Sequence, residues 1–273
     1  MPTEGVDIVP LLAADEPAPF EVLNQTATNP LLLVCDHASA RFPASVGNLG
    51  VDMAVQHCHL GSDIGAGALT ESLANRLGAT AVLQQYSRLV IDCNRQLLDP
   101  GAFLEFGDGV VITGNRNLDA TQKQLRADEI YWPYHRAIDR EIERLTTDKV
   151  KPSMLAIHSF TPVLNGVFRP WQIGILWDKD ARVAEPIIRL LRERGFTVGD
   201  NEPYSGKALQ DYTIDNHAEA AELPHVGIEI RQDLIDSEEG VALMADVFEP
   251  VIESIQTQIF ATDIATRERT LHA

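Results

Sequence analysis

The sequence predicts an α/β fold: a single domain with a mostly parallel or mixed central sheet flanked by helices. Three observations carry that expectation. Short apolar runs of strand length alternate with longer segments of helical periodicity. Most of those runs are apolar throughout, as expected of strands buried on both faces. A chain of 273 residues with 45% hydrophobic side chains can also bury one generous core without disulfides.

Taken in order, residues 1–30 are rich in Pro, Asp, Glu, Ala and Thr and read as an irregular leader packed on the domain, which occupies 31–273. Strands are expected at 31–35, 80–84, 88–93, 154–157, 172–177, 196–198 and 226–230. A helix over 63–77 follows Ser62 and stops at Gly78, a residue suited to positive φ. Asp119 with Gln122, and Asp236 with Glu239, have capping-box spacing before helical patterns over 120–146 and 237–260. Another helix follows Asp180 and closes at Gly195. Pro186 and Pro250 inside helical patterns predict kinks or late starts. The segment 96–118 has little periodicity, and a loop of that length in a compact domain is usually functional or mobile.

The charge narrows the partners. With 22 basic against 40 acidic residues the formal net charge is -18, which opposes binding to a phosphate backbone and argues against nucleic acid. An anionic ligand would need arginines placed locally against that field. The three cysteines, Cys35, Cys58 and Cys93, have no C-x-x-C spacing and suit a reducing compartment. No apolar run approaches the roughly 20 residues of a membrane span, and the first residues lack a basic segment followed by an apolar one. The expectation is a soluble, cytoplasmic protein with no membrane partner.

Ligands of open α/β sheets gather beyond the carboxyl ends of the strands. LLLVC runs directly into Asp36-His37, and MLAI runs directly into His158-Ser159. Two such histidines could converge and offer imidazole nitrogens to a metal, with a carboxylate as third ligand. Asp63 suits that place; it equally suits a helix cap. In SRLVIDCNR, Asp92 could orient a ligating imidazole while Arg88 or Arg95 receives a substrate carboxylate, or these residues form an internal salt bridge. Glu229 and Arg231 lie two apart on one strand and so share a face, either as a functional pair or as a salt bridge. His59, four residues before Asp63, could share a helical face with it and is placed behind the ligands rather than among them. Cys35 and Cys93 read as small buried hydrophobes and His135 as a helix-packing residue.

The elements CDHAS, HLGSDIGAGAL, SRLVIDCNR, the TGN of the long loop, YWPYH and AIHSFTP, in this order and over residues 30 to 235, resemble the N-formylglutamate amidohydrolase family. That family is similar to the zinc carboxypeptidases and aspartoacylases. The resemblance implies a carboxypeptidase-like fold, one zinc ion per chain, and hydrolysis of N-formyl-L-glutamate to formate and L-glutamate. It makes His158 in AIHSF a zinc ligand, Asn94 and Arg95 substrate-binding residues, and Glu229 in GIEIR the general base. In the carboxypeptidase relatives a ligating Glu follows the first zinc His by three residues; here that residue is Ala40, so either Asp63 supplies the third donor or the metal is bound by fewer protein groups. With His37 as the remaining ligand, Arg88 and Arg231 complete the substrate pocket, and Asp92 and His59 support the ligands. The other readings are a deacylase for a different small anionic N-acyl amino acid or small amide, and a metal-free binding protein on the same fold.

Overall fold

The computed structural model describes residues 9–148, 150–208 and 211–271; residues 1–8 of the leader lie outside it. In chain order the strands are β1 (Phe20–Leu23), β2 (Leu31–Cys35), β3 (Thr80–Gln84), a small hairpin of β4 (Phe106–Gly107) and β5 (Val110–Val111), then β6 (Ser153–Phe160). A second hairpin of β7 (Val163–Leu164) and β8 (Val167–Phe168) precedes β9 (Ile173–Leu176), β10 (Val198–Asp200) and β11 (His225–Arg231). The helices are α1 (Met53–Gln56), α2 (Ala66–Leu77), α3 (Ala120–Arg126), α4 (Trp132–Leu145), α5 (Ala181–Glu193) and α6 (Glu238–Leu271).

Seven strands form one mixed sheet in the order β1-β3-β2-β6-β11-β9-β10. The β1–β3 and β11–β9 pairs are antiparallel; the other four are parallel. Within the 1–30 segment, then, Phe20–Leu23 is an edge strand, with Phe20 opposite Gln84.

Strand parity divides the core. Leu31, Leu33 and Cys35 of β2, Leu155 and Ile157 of β6, and Val226, Ile228 and Ile230 of β11 face one apolar layer, covered by α2, α5 and α6. Leu32, Val34, Met154 and Ala156 face the other, packed against Ile130, Tyr134 and Ile138. Continuing that second parity past Val34 and Ala156 gives Asp36 and His158, and on β11 it gives Glu229. The polar residues of interest therefore emerge at the carboxyl edge of the three central strands, where the sheet geometry places ligands.

Several local expectations change. Residues 88–93 form buried loop rather than strand. Helix α2 begins at Ala66 and not at 63; Gly65, at φ 76, precedes it, and a Cβ there would lie 1.9 Å from the Ile235 carbonyl oxygen. Gly78 ends α2 in the left-handed region, as expected. The Asp119–Gln122 capping box is formed, whereas at the start of α6 it is the Ser237 hydroxyl that accepts from Gly240 N–H at 3.2 Å. Pro186 and Pro250 both sit inside continuous helices. Between α3 and α4 the chain makes a π-helical turn over Ala127–Tyr131. Pro133 lies just beyond it and cannot donate to the carbonyl of residue 129, a deficit that a wider turn accommodates.

His135 on α4 belongs to a buried chain of bonds: one ring nitrogen meets the Cys93 carbonyl at 2.9 Å, the other meets His217 Nε2 at 2.9 Å, and His217 Nδ1 meets Asp139 at 2.7 Å. Burial first, and the His217 ring second, push His135 down to about 3. Such a histidine is neutral when folded, whereas the unfolded chain takes up its proton near pH 6.5. Its contribution is therefore complete above about pH 6.5 and is lost as pH falls toward the folded value. Between pH 6.5 and pH 5 the parent should lose about 1.5 kcal/mol more unfolding free energy than His135→Gln. Urea titrations at the two pH values measure this; identical pH dependence in both proteins would contradict it.

Candidate metal centre and active site

His37 follows β2 directly, His158 lies within β6, and Asp63 occupies the turn before α2, so three separate segments bring their side chains to one point. Asp63 N–H donates to the His37 carbonyl at 3.0 Å, which fixes that turn against the end of β2. The Asp63 Oδ2 atom lies 3.3 Å from His37 Nδ1 and 2.9 Å from His158 Nδ1. One donor atom from each of the three residues falls within 4.8 Å of the others, and all three residues are buried. Asp63 is thus not the helix cap; its carboxylate faces the two imidazoles.

Each imidazole is backed by a second carboxylate. His37 Nε2 meets Asp92 Oδ1 at 2.8 Å, a partner that turns Nδ1 inward as an acceptor. His158 Nε2 lies 3.2 Å from Asp36 Oδ2, off hydrogen-bond alignment. Asp36 in turn accepts from the Thr213 hydroxyl at 2.6 Å. Sequence reading identified Asp92 in this role and missed Asp36, although Asp36 is the residue before His37.

Electrostatics favour positive charge between these donors. Burial pushes the His158 and His37 rings down, but the Asp36 and Asp63 carboxylates outweigh it for His158, and Asp92 and Asp63 outweigh burial and Arg88 for His37, so both end raised. Burial likewise opposes ionisation of Asp63, and the two imidazoles reverse that and hold it far below the usual carboxylate range. A buried set of two imidazole nitrogens and one carboxylate oxygen, with an excess of negative charge behind it, is a donor set suited to a divalent cation such as zinc.

Glu229 stands beside His158 in the β11–β6 register. It is 7% exposed, and its Oε2 has no hydrogen-bond partner. Burial chiefly, with Asp63 adding to it and His158 opposing, pushes Glu229 up to about 7. An unpartnered buried carboxylate is costly in a purely structural role.

Two contiguous cavities meet here. The inner one, about 210 Å³, is lined by His37, Asp63, His158, Glu229, Asn94 and Arg95. The outer one, about 460 Å³, adds Leu104 and Asp108 of the long loop and Leu164 and Asn165 of the second hairpin. Arg88, Arg95, Asp63, Ser159 and Tyr204 border both. The 96–118 segment, which has little periodicity in sequence, thus forms a wall of the outer cavity.

The arginines divide. Arg88 grips Asp92 Oδ2 through Nε and Nη2 at 3.1 and 2.7 Å and reaches Asp63 Oδ1 at 3.3 Å. Its charge is absorbed by those two carboxylates, the salt-bridge alternative for this segment. Arg95 borders both cavities beside Asn94, whose Oδ1 accepts from Thr213 N–H at 3.0 Å. Arg231 turns to Asp233 at 2.7 Å and lines neither cavity. His59 sits on the outer rim with Nε2 3.4 Å from Asp108, removed from the ligand backing expected of it. Cys35 and Cys93 are buried, and burial raises both thiols, Cys35 to about 12, so neither serves as a nucleophile.

Comparison with known proteins bears on the fold and the family. No curated protein sequence matches the chain. Among solved structures, a gene product from Agrobacterium tumefaciens is 35% identical and superposes with a TM-score of 0.88, covering 91% of this chain and 99% of its own. An N-formylglutamate amidohydrolase from Ralstonia eutropha JMP134, 22% identical, shares the fold with a TM-score of 0.68 over 92% of this chain and 100% of its own. The sequence model of the N-formylglutamate amidohydrolase family matches residues 29–236, which hold every residue of both cavities described above, and the chain belongs to that family.

Proposed function

We propose that this protein is a zinc-dependent amidohydrolase that cleaves N-formyl-L-glutamate to formate and L-glutamate. The observation that carries the reading is one cavity in which a buried His37–Asp63–His158 donor set faces Glu229, a buried carboxylate with an unpartnered oxygen. Family membership supplies the reaction class.

His37 and His158, each through Nδ1, and Asp63, through Oδ2, would hold a single divalent ion. When bound, that ion supplies Lewis acidity to the formyl carbonyl and lowers the pKa of water beside it. Glu229 takes the proton from the attacking water as the new C–O bond forms, then delivers it to the amide nitrogen as the C–N bond breaks. A group raised to about 7 suits both transfers near neutral pH. Asp92 keeps the His37 imidazole oriented through a hydrogen bond, and the Asp36 carboxylate places negative charge behind His158. Arg95, with Asn94 beside it, receives the α-carboxylate in a planar fork that offsets the net charge of -18. Three free cysteines support placement in a reducing compartment such as the cytoplasm.

The test is turnover of formyl-, acetyl- and succinyl-L-glutamate by zinc-loaded protein. Formate release from the formyl compound should exceed cleavage of the other two in kcat/KM. Faster release of acetate or succinate would assign a different acyl group, and no turnover of any would leave a binding protein on the amidohydrolase fold.

A further inference from the structure

Arg169 follows β8, where its N–H closes the second hairpin onto the Pro162 carbonyl at 2.8 Å. It is only 7% exposed. Its guanidinium lies 4.9 Å from the Tyr204 ring centre and 5.8 Å from that of Phe160. Nη1 donates to the Tyr204 hydroxyl at 2.9 Å and reaches the Thr161 carbonyl at 3.5 Å. Among the described residues it forms no ion pair with any carboxylate, whereas Arg88 pairs with two and Arg231 with one.

A cation so far out of water needs a counter-charge, and two rings do not supply a full one. They do hold the guanidinium in one place. Phe160, Thr161 and Tyr204, all in contact with it, line the outer cavity, and Tyr204 lines the inner one as well. The Tyr204 hydroxyl accepts from Arg169 and retains its own proton for donation. Arg95 borders both cavities directly, whereas Arg169 lies behind the Phe160, Thr161 and Tyr204 wall that it contacts.

We propose that Arg169 and the Tyr204 hydroxyl form a second carboxylate subsite, which reads the side-chain carboxylate of the acylated amino acid while Arg95 and Asn94 take the α-carboxylate. The subsite rests on the amidohydrolase reading above and adds to it a basis for preferring an acidic side chain. Arg88, already neutralised by Asp63 and Asp92, is not available for this purpose. A neutral side chain of the same length would leave Arg169 buried and unpaired in the complex.

The experiment compares kcat/KM for N-formyl-L-glutamate and the isosteric N-formyl-L-glutamine in the parent, Arg169→Gln and Tyr204→Phe. The parent should favour the glutamate compound by about 10- to 100-fold, the worth of a charged hydrogen-bonded pair. In Arg169→Gln the preference should shrink to within a few-fold, through loss of the glutamate rate alone, and Tyr204→Phe, which keeps the ring, should reduce it in part. An equal fall for both substrates in both variants would make Arg169 a packing residue and overturn the subsite. A parent that hydrolyses neither compound contradicts the amidohydrolase reading instead. The subsite is then judged by calorimetric binding of L-glutamate and L-glutamine to the same proteins, where selective loss of L-glutamate binding in Arg169→Gln supports it and unchanged selectivity overturns it.

Discussion

Replacing Glu229 with glutamine should lower kcat by on the order of 10²–10⁴ while leaving metal content and substrate affinity intact. The carboxylate is buried on β11, and its Oε2 meets no donor from the protein. Glutamine preserves size and one hydrogen-bonding oxygen, so the cavity keeps its shape; what disappears is the capacity to take and return a proton. Burial that raises Glu229 to about 7 has matched its basicity to neutral pH. The readouts are kcat, KM and elemental metal content of the same preparation. Loss of metal in the variant would make Glu229 a ligand, and unchanged kcat would remove it from the reaction.

His158→Ala should abolish equimolar metal binding and reduce turnover to the background rate. Two further consequences separate a metal ligand from a structural imidazole. In chelated protein the variant should be less stable by about 3 kcal/mol, because Asp63 and Asp36 lose a buried partner. Added zinc should raise the parent's Tm, since an ion that binds only the folded state stabilises it by mass action, and should leave the variant's Tm unchanged. An equal zinc-induced shift in both proteins would place the ion elsewhere.

Much of the sheet was legible because its central strands are buried on both faces and therefore apolar without interruption: 31–35 and 80–84 coincide with β2 and β3, and 154–157 and 226–230 lie within β6 and β11. The same rule failed at 88–93. Leu89, Val90 and Ile91 are fully buried, yet the Leu89 and Val90 carbonyls are met by the side chains of Asn115 and Arg126, at 2.8 Å each. Apolar periodicity cannot reveal that distant side chains, rather than a neighbouring strand, satisfy the backbone. Phe20–Leu23 escaped because an edge strand of four residues lies in a polar leader. The hairpins around Asp108-Gly109, within the long loop, and Asn165-Gly166, beyond it, both have positive φ at the two turn residues and carried a turn signal in strands too short to show apolar periodicity.

The site divided along similar lines. His37 and His158 were visible because each ends an apolar run, and Asp92 because it is a charge inside one. Asp36 carried the same signal as its neighbour, and alternation past Val34 places it toward His158. Tyr204 and Arg169 carried none, since Tyr204 reaches the cavity, and Arg169 reaches Tyr204, through connecting segments whose paths depend on tertiary packing. Arg231 and His59 were drawn in by proximity in sequence, and the structure turns them toward Asp233 and Asp108.

One divalent ion, held by His37, Asp63 and His158, should be required for hydrolysis of the formyl amide. This requirement is tested most directly by removing metal with a chelator, titrating zinc back, and following formate release from N-formyl-L-glutamate. Activity should be absent at the start, rise in proportion to zinc, and level off at one equivalent per chain. Full formate release from the chelated protein, with no response to zinc, would contradict it.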